Sequence, residues 1–185
     1  PSADFTPPTL GSHSEPALVL DGTWKLAPIA GALKVGPNPG DGSWYSSSAT
    51  DVETRACLFD DKYVLHADGA FDNEHGDQTW VENWQIDAPD GSNPNDGSCG
   101  APVAPHDNSA DATWSFSETD GTITLTGLGA YFGLAKAITG GELSVSGTEV
   151  PASRTYTVHS FDGDNLKLVI STGGGYWTFE LIRDG

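Results

Sequence analysis

Cations are scarce in this sequence. Eight Lys and Arg stand against 26 Asp and Glu over 185 residues, a formal net charge of −18. A field of that sign repels phosphate backbones and anionic lipid, so nucleic acid and membrane surfaces are poor partners. It favours solubility and leaves room for divalent cations. Cysteine is scarce too. Cys57 and Cys99 are the only two, with no C-x-x-C spacing and no matching His cluster, which argues against zinc. They allow one internal bridge, which would stabilise the fold by about 4 kcal/mol in the chain-entropy treatment. Two unpaired buried thiols are the alternative. A bridge would suit an oxidising compartment. No apolar run is long enough to span a bilayer and nothing reads as a signal peptide, while "PSADFTPPTL" suits a processed N-terminus. A secreted or cell-surface protein without membrane insertion is the expectation.

Catalytic signatures are lacking as well. No G-x-S-x-G elbow supports a Ser/His/Asp triad. His66, His75, His106 and His159 show no H-E-x-x-H spacing, even in "NEHGDQ", so they are expected to be solvated rather than ligating. Asp72, Glu74, Asp77 and Glu82 could supply a glycosidase pair, but in so acidic a chain some carboxylates always fall near one another. An enzyme is therefore the least favoured class.

Aromatic residues and glycine, by contrast, are plentiful. Six Trp, seven Phe and five Tyr carry enough apolar area to offset chain entropy, so the acidic composition does not mean disorder. The 23 Gly and 12 Pro suggest many turns and long loops, as in one all-β domain. Asp-Gly sits between alternating apolar residues at Asp68-Gly69, Asp120-Gly121 and Asp162-Gly163, a strong hairpin cue. "DGTWKLAP" predicts a strand from about Gly22 to Ala27. Residues 28–56 read as a long loop with a short helix around "ATDVETRA". "YVLHADGAF" reads as strand, turn, strand, the second arm running on to Trp84. Residues 87–112 are a polar excursion, and "GAYFGLAKAITG" is ambiguous between helix and strand. The C-terminal part is a meander in which Tyr156, Val158 and Ser160 share one face, and Trp177, Phe179 and Leu181 another. Sequential antiparallel strands of this number close most simply into an up-and-down barrel, which removes exposed edges. The chain divides into an extended N-terminal arm, 1–20, and a barrel domain, 21–185.

"LDGTWKLAP", "DDKYVLHADGAF", "TITLTG", "TYTVHSFDGDNLKLVIS" and the terminal "GYWTFELIR" together resemble the lipocalin-like domains of secreted bacterial proteins, chiefly of Bacteroidetes type. The Gly22-Thr23-Trp24 opening and the aromatic last strand from Tyr176 to Arg183 carry the likeness. "GTWKLAPIAGALKVGP" and "CGAPVAPHD" resemble, more narrowly, a module repeated in large extracellular proteins of marine bacteria. The resemblance implies a barrel of eight or more strands, export and a non-catalytic role, but no particular ligand. Residues 1–20, 28–56 and 87–112 exceed a minimal domain of this kind and supply material to cap or fill an open calyx.

Three sets of residues stand out as candidate sites. In "TWVENWQ", Trp80, Glu82 and Trp84 alternate and would share one face of a strand, as barrel filling, a sugar-stacking platform or an acid in an aromatic pocket. Barrel filling is favoured there, with Trp44 and Tyr45 as loop partners if the platform reading holds. In "DAPDGSNPNDGS", Asp87, Asp90, Asn93, Asn95 and Asp96 offer hard oxygen ligands for calcium, without EF-hand order. A solvated loop is the alternative; no other cofactor is implied. In "EPALVL", Ala17, Leu18, Val19 and Leu20 form an apolar extended segment able to add to a sheet edge of this domain or of a neighbour. Head-to-tail contact would generate a fibre. Two functions follow: a structural module of a surface fibre or adhesin, self-associating through its arm, and, alternatively, a polysaccharide-binding accessory module of a secreted polysaccharide-degrading protein.

Overall fold

The computed structural model describes residues 18–86, 97–143 and 149–185. Its strands are β1 (Gly22–Leu26), β2 (Leu33–Gly36), β3 (Tyr45–Ser46), β4 (Lys62–Leu65), β5 (Ala70–Glu74), β6 (Thr79–Val81) and β7 (Ser98–Gly100). There follow β8 (Ala112–Ser117), β9 (Thr122–Thr126), β10 (Ala137–Ile138), β11 (Gly141–Glu142), β12 (Ser153–Phe161), β13 (Asn165–Ser171) and β14 (Tyr176–Arg183). Two short helices, α1 (Ala49–Thr54) and α2 (Ala56–Phe59), precede β4. None of these is long and apolar enough to cross a membrane.

Eight strands in the order β1-β4-β5-β8-β9-β12-β13-β14 close into an antiparallel barrel through the pairing of β1 with β14. The expected all-β barrel is present, and its architecture is compatible with a lipocalin-like domain. The three Asp-Gly turns join consecutive barrel strands, with Gly69, Gly121 and Gly163 at φ of 92°, 65° and 102°, where a side chain would be strained. The last strand has a double role. Its C-terminal half pairs with β1, while Tyr176 to Phe179 pair with β2, which in turn carries β3. Residues 27–32 bridge the two partners, with Ala27 N–H donating to Glu180 and Glu180 N–H donating to Ala32. Strands β2 and β3 thus lie inside what reads as loop from the sequence. The short helix expected around "ATDVETRA" is present as α1, over Ala49–Thr54, capped by Ser48 and Asp51.

The barrel is filled, not hollow. Trp24, Tyr63, Phe71, Tyr156 and Phe179 point inward from five strands. The ambiguous segment after Gly129 is mostly neither helix nor strand. It enters the barrel and buries Ala130, Tyr131, Phe132, Leu134, Ala135 and Ala137. The Phe132 ring meets Tyr63, Phe71 and Tyr156 edge-on at 5.0–5.5 Å. Gly133, at φ 69°, passes so close to the Phe179 ring that a Cβ there would overlap it. Irregular backbone in a core needs hydrogen-bond partners. Arg154 of β12, only 1 % exposed, provides them by donating to the carbonyls of Ala135 (2.6 Å) and Ala137 (3.0 Å).

Four expectations are corrected. The second arm of the hairpin stops at Glu74; Gly76, at φ 61°, lies in a turn, and β6 pairs with β7 in a separate two-stranded sheet. A bulge between Val158 and Ser160 shifts the register, so Ser160 is exposed and Phe161 packs on Trp24 instead. Trp177, Phe179 and Leu181 do share the inward face. His75 and His106 are buried rather than solvated. Leu20, placed in the arm, is a core residue: its carbonyl accepts the Trp24 indole N–H, and Arg183 binds the carbonyls of Val19 and Asp21. Residues 1–17, with Ala17 of the expected assembly segment, lie outside the described residues.

Candidate functional site

The two-stranded β6–β7 sheet is fastened to α2 by a disulfide between Cys57 and Cys99, with Cα atoms 5.9 Å apart. The expected bridge is present and agrees with an oxidising compartment. It steadies the turn that follows β6. There the strand ends, because the Gln85 side chain accepts the Glu82 N–H at 3.0 Å and a 3₁₀ turn runs over Asn83–Gln85. This corrects the alternating reading of "TWVENWQ": Trp80, Glu82 and Trp84 do not share a strand face.

The turn points Glu82 and Trp84 into a groove at one end of the barrel. Trp44 and Tyr45, at the start of β3, form another part of its wall. Lys136, Glu142, Leu134 and Leu143 come from the barrel-filling segment after Gly129 (the plug) and the β10–β11 hairpin, and Trp177 of β14 completes the lining. The groove encloses about 780 Å³. Its polar groups are tied to its rings. The Trp84 indole N–H donates to Glu82 Oε2 at 3.0 Å, and the Trp177 indole N–H donates to Glu142 Oε1 at 2.7 Å. Lys136 Nζ stands 3.6 Å from Glu82 Oε1 and 5.1 Å from the centre of the Trp177 ring. Burial pushes the Glu82 carboxyl up from its ordinary value, while Lys136 and the Trp84 indole pull the other way. Tyr45 hydroxyl donates to Asp51 Oδ2 at 3.2 Å, which links the groove wall to the cap of α1.

Trp44 is 59 % exposed, a costly position for an indole. It lies against Gly175 in the β13–β14 turn, where a Cβ would come within 2.4 Å of the ring. Only glycine permits so close a seat. Trp80 is placed differently. Its ring is covered by the Arg55 guanidinium at 4.5 Å and packs against Gly97, so it supports a wall of the groove without lining it.

Of the five residues expected in a glycan platform, Trp44, Tyr45, Glu82 and Trp84 therefore meet in one groove, and Trp80 stands behind it. Sequence reading missed Arg55, Lys136, Glu142 and Leu143, and placed Trp177 only in the barrel wall. No local motif marks them. The calcium candidates Asp87, Asp90, Asn93, Asn95 and Asp96 lie outside the described residues, and the described residues include no group of three or more metal-ligating side chains.

A second polar cluster lies deeper. Thr79 hydroxyl donates to Asp61 Oδ2 at 2.6 Å, and His75 Nδ1 stands 3.3 Å from Asp61 Oδ1 while its ring stacks on Tyr131. Tyr131 also meets the His106 ring edge-on, and Arg154 lies 3.1 Å from His106 Nε2. Arginine can only donate, so His106 is neutral with its proton on Nδ1. Burial, then the Arg154 charge, lowers its pKa to about 3.

No protein-family model and no curated protein matches the sequence.

Proposed function

We propose that the groove binds a carbohydrate chain and that the domain is a non-catalytic accessory module of a secreted polysaccharide-degrading protein. The observation that carries this reading is Trp44, a mostly exposed indole propped on Gly175 at the mouth of a groove that also holds Trp84 and Trp177. Apolar sugar faces lie well on indoles, and the carboxylates of Glu82 and Glu142 can accept sugar hydroxyls beside them. The disulfide agrees with work outside the cell. So does the likeness of "LDGTWKLAP" and "GYWTFELIR" to lipocalin-like domains of secreted Bacteroidetes-type and marine bacterial proteins.

Trp44→Ala tests the reading, because the ring is too exposed to be part of the core. Calorimetric titration against a panel of neutral and acidic oligosaccharides should show at least one ligand whose affinity falls tenfold or more in the variant, about 1.4 kcal/mol. The Tm should stay within about 2 °C of the parent, as expected for an exposed site. Unchanged affinity in Trp44→Ala, or no ligand in the panel, would refute it.

The fibre or adhesin reading is supported by Leu18 and Val19, exposed apolar residues at the foot of the arm. Because Leu20 belongs to the core and the residue-19 carbonyl accepts from Arg183, its test is removal of residues 1–18 together with Val19→Ser. Light scattering should then show multimers of the parent and monomers of the truncated chain; monomers in both would reject that reading.

A further inference from the structure

Arg55 sets the groove apart from the rest of this acidic chain. All five lysines stand beside carboxylates: Lys25 and Lys62 beside Asp184, Lys34 and Lys167 beside Glu180, Lys136 beside Glu82. Arg154 donates to the carbonyls of Ala135 and Ala137 and to His106, and Arg183 donates to main-chain carbonyls. The Arg55 guanidinium instead lies over two rings, 4.5 Å from the centre of Trp80 and 5.7 Å from that of Tyr45. Among the described residues no carboxylate stands within ion-pair distance of it and no acceptor takes its side-chain N–H groups. The nearby acids are otherwise engaged, Asp51 by Ser48 and Tyr45, Glu82 by Trp84 and Lys136.

A guanidinium held over aromatic rings uses none of its N–H donors there, and its N–H edge matches a planar oxyanion in a bidentate pair. Arg55 borders the groove. The charged side chains lining it, Arg55 and Lys136 against Glu82 and Glu142, balance, whereas the whole chain carries −18. At physiological salt the screening length is about 8 Å, so the local balance outweighs the distant excess of carboxylates.

We infer that the groove takes an acidic saccharide, its ring on the Trp44 and Trp84 side and its oxyanion on the edge of Arg55. The inference rests on the reading of the groove as a glycan site. A uronate carboxylate is the planar match; a sulfate ester is the other source of a sugar-borne oxyanion.

The test is calorimetric titration of the whole protein with five probes: an oligogalacturonate, the same chain methyl-esterified, an oligomannuronate, a neutral oligogalactan and its sulfated form. At least one uronate should bind tenfold or more tighter than the esterified and neutral chains. Arg55→Gln should remove that preference, and Arg55→Lys should keep only part of it. A preference confined to the sulfated chain, lost in Arg55→Gln, supports the oxyanion site and assigns its source to sulfate. Neutral or esterified chains binding as tightly as the acids, or a preference that survives Arg55→Gln, would overturn the inference while leaving the glycan reading in place. Absence of binding to all five probes would overturn both. Circular dichroism of the variants, unchanged from the parent, confirms that the comparison is between folded proteins.

Discussion

Removing the disulfide, by Cys57→Ala together with Cys99→Ala, should destabilise the entire barrel and not only the β6–β7 sheet. The bridge closes a loop of 42 residues that contains β4 and β5, two of the barrel strands, so the constraint it places on the unfolded chain bears on global unfolding. In the chain-entropy treatment a loop of that length corresponds to about 4 kcal/mol at 25 °C. For a chain of this size that amounts to roughly 8–16 °C in Tm, at about 2–4 °C per kcal/mol. Urea unfolding followed by far-ultraviolet circular dichroism and by tryptophan fluorescence measures it. The midpoint should fall with both probes together and without a change of slope. Two results would refute the reasoning. A loss below about 1 kcal/mol would mean that the loop entropy is not the main contribution. A fluorescence transition that moves while the circular dichroism transition stays would mean that the bridge holds only the groove wall.

Two other outcomes follow from the core. Phe132→Ala should cost about 3–5 kcal/mol, because the ring is fully buried among Tyr63, Phe71 and Tyr156; a loss under 1 kcal/mol in denaturant titration would mean that the plug is not packed in solution. His106 has a folded pKa of about 3 against an ordinary 6.5, so the stability due to keeping it neutral is present above pH 6.5 and is lost as pH falls toward 3. That interval is on the order of 5 kcal/mol, at about 1.4 kcal/mol per pH unit. The raised carboxyls of Asp61 and Glu82 act with the opposite sign, taking up protons in the folded state as pH falls. The difference between parent and His106→Gln isolates the histidine: the variant should lose less stability between pH 6.5 and 4, and parallel curves would reject the assignment.

Local patterns were enough for the barrel. Asp-Gly pairs need left-handed backbone at the glycine, and alternating apolar residues need one buried face, so the hairpins at Gly69, Gly121 and Gly163 and the inward row of Trp177, Phe179 and Leu181 are legible in the chain. The Cys57–Cys99 bridge follows from arithmetic once an oxidising compartment is assumed. Side-chain hydrogen bonds that interrupt a period are not legible in this way. Nothing in "TWVENWQ" announces that Gln85 will reach back to Glu82 and end the strand, and nothing in "YTVHSF" marks the bulge before Ser160.

The sequence by itself determined an acidic, aromatic-rich, antiparallel β domain and named Trp44, Tyr45, Glu82 and Trp84 as residues worth watching. Only the tertiary structure decided that they meet. The groove draws its walls from β3, the turn after β6, the plug, the β10–β11 hairpin and β14, segments separated by up to about a hundred and thirty positions in the chain. Their contact depends on barrel closure through β14 and on the plug being held by Arg154, and neither leaves a local period to read. Arg55 is the clearest case. It is one of eight cations in the sequence, and what distinguishes it is its place over the Trp80 and Tyr45 rings with no acceptor for its side-chain N–H groups among the described residues.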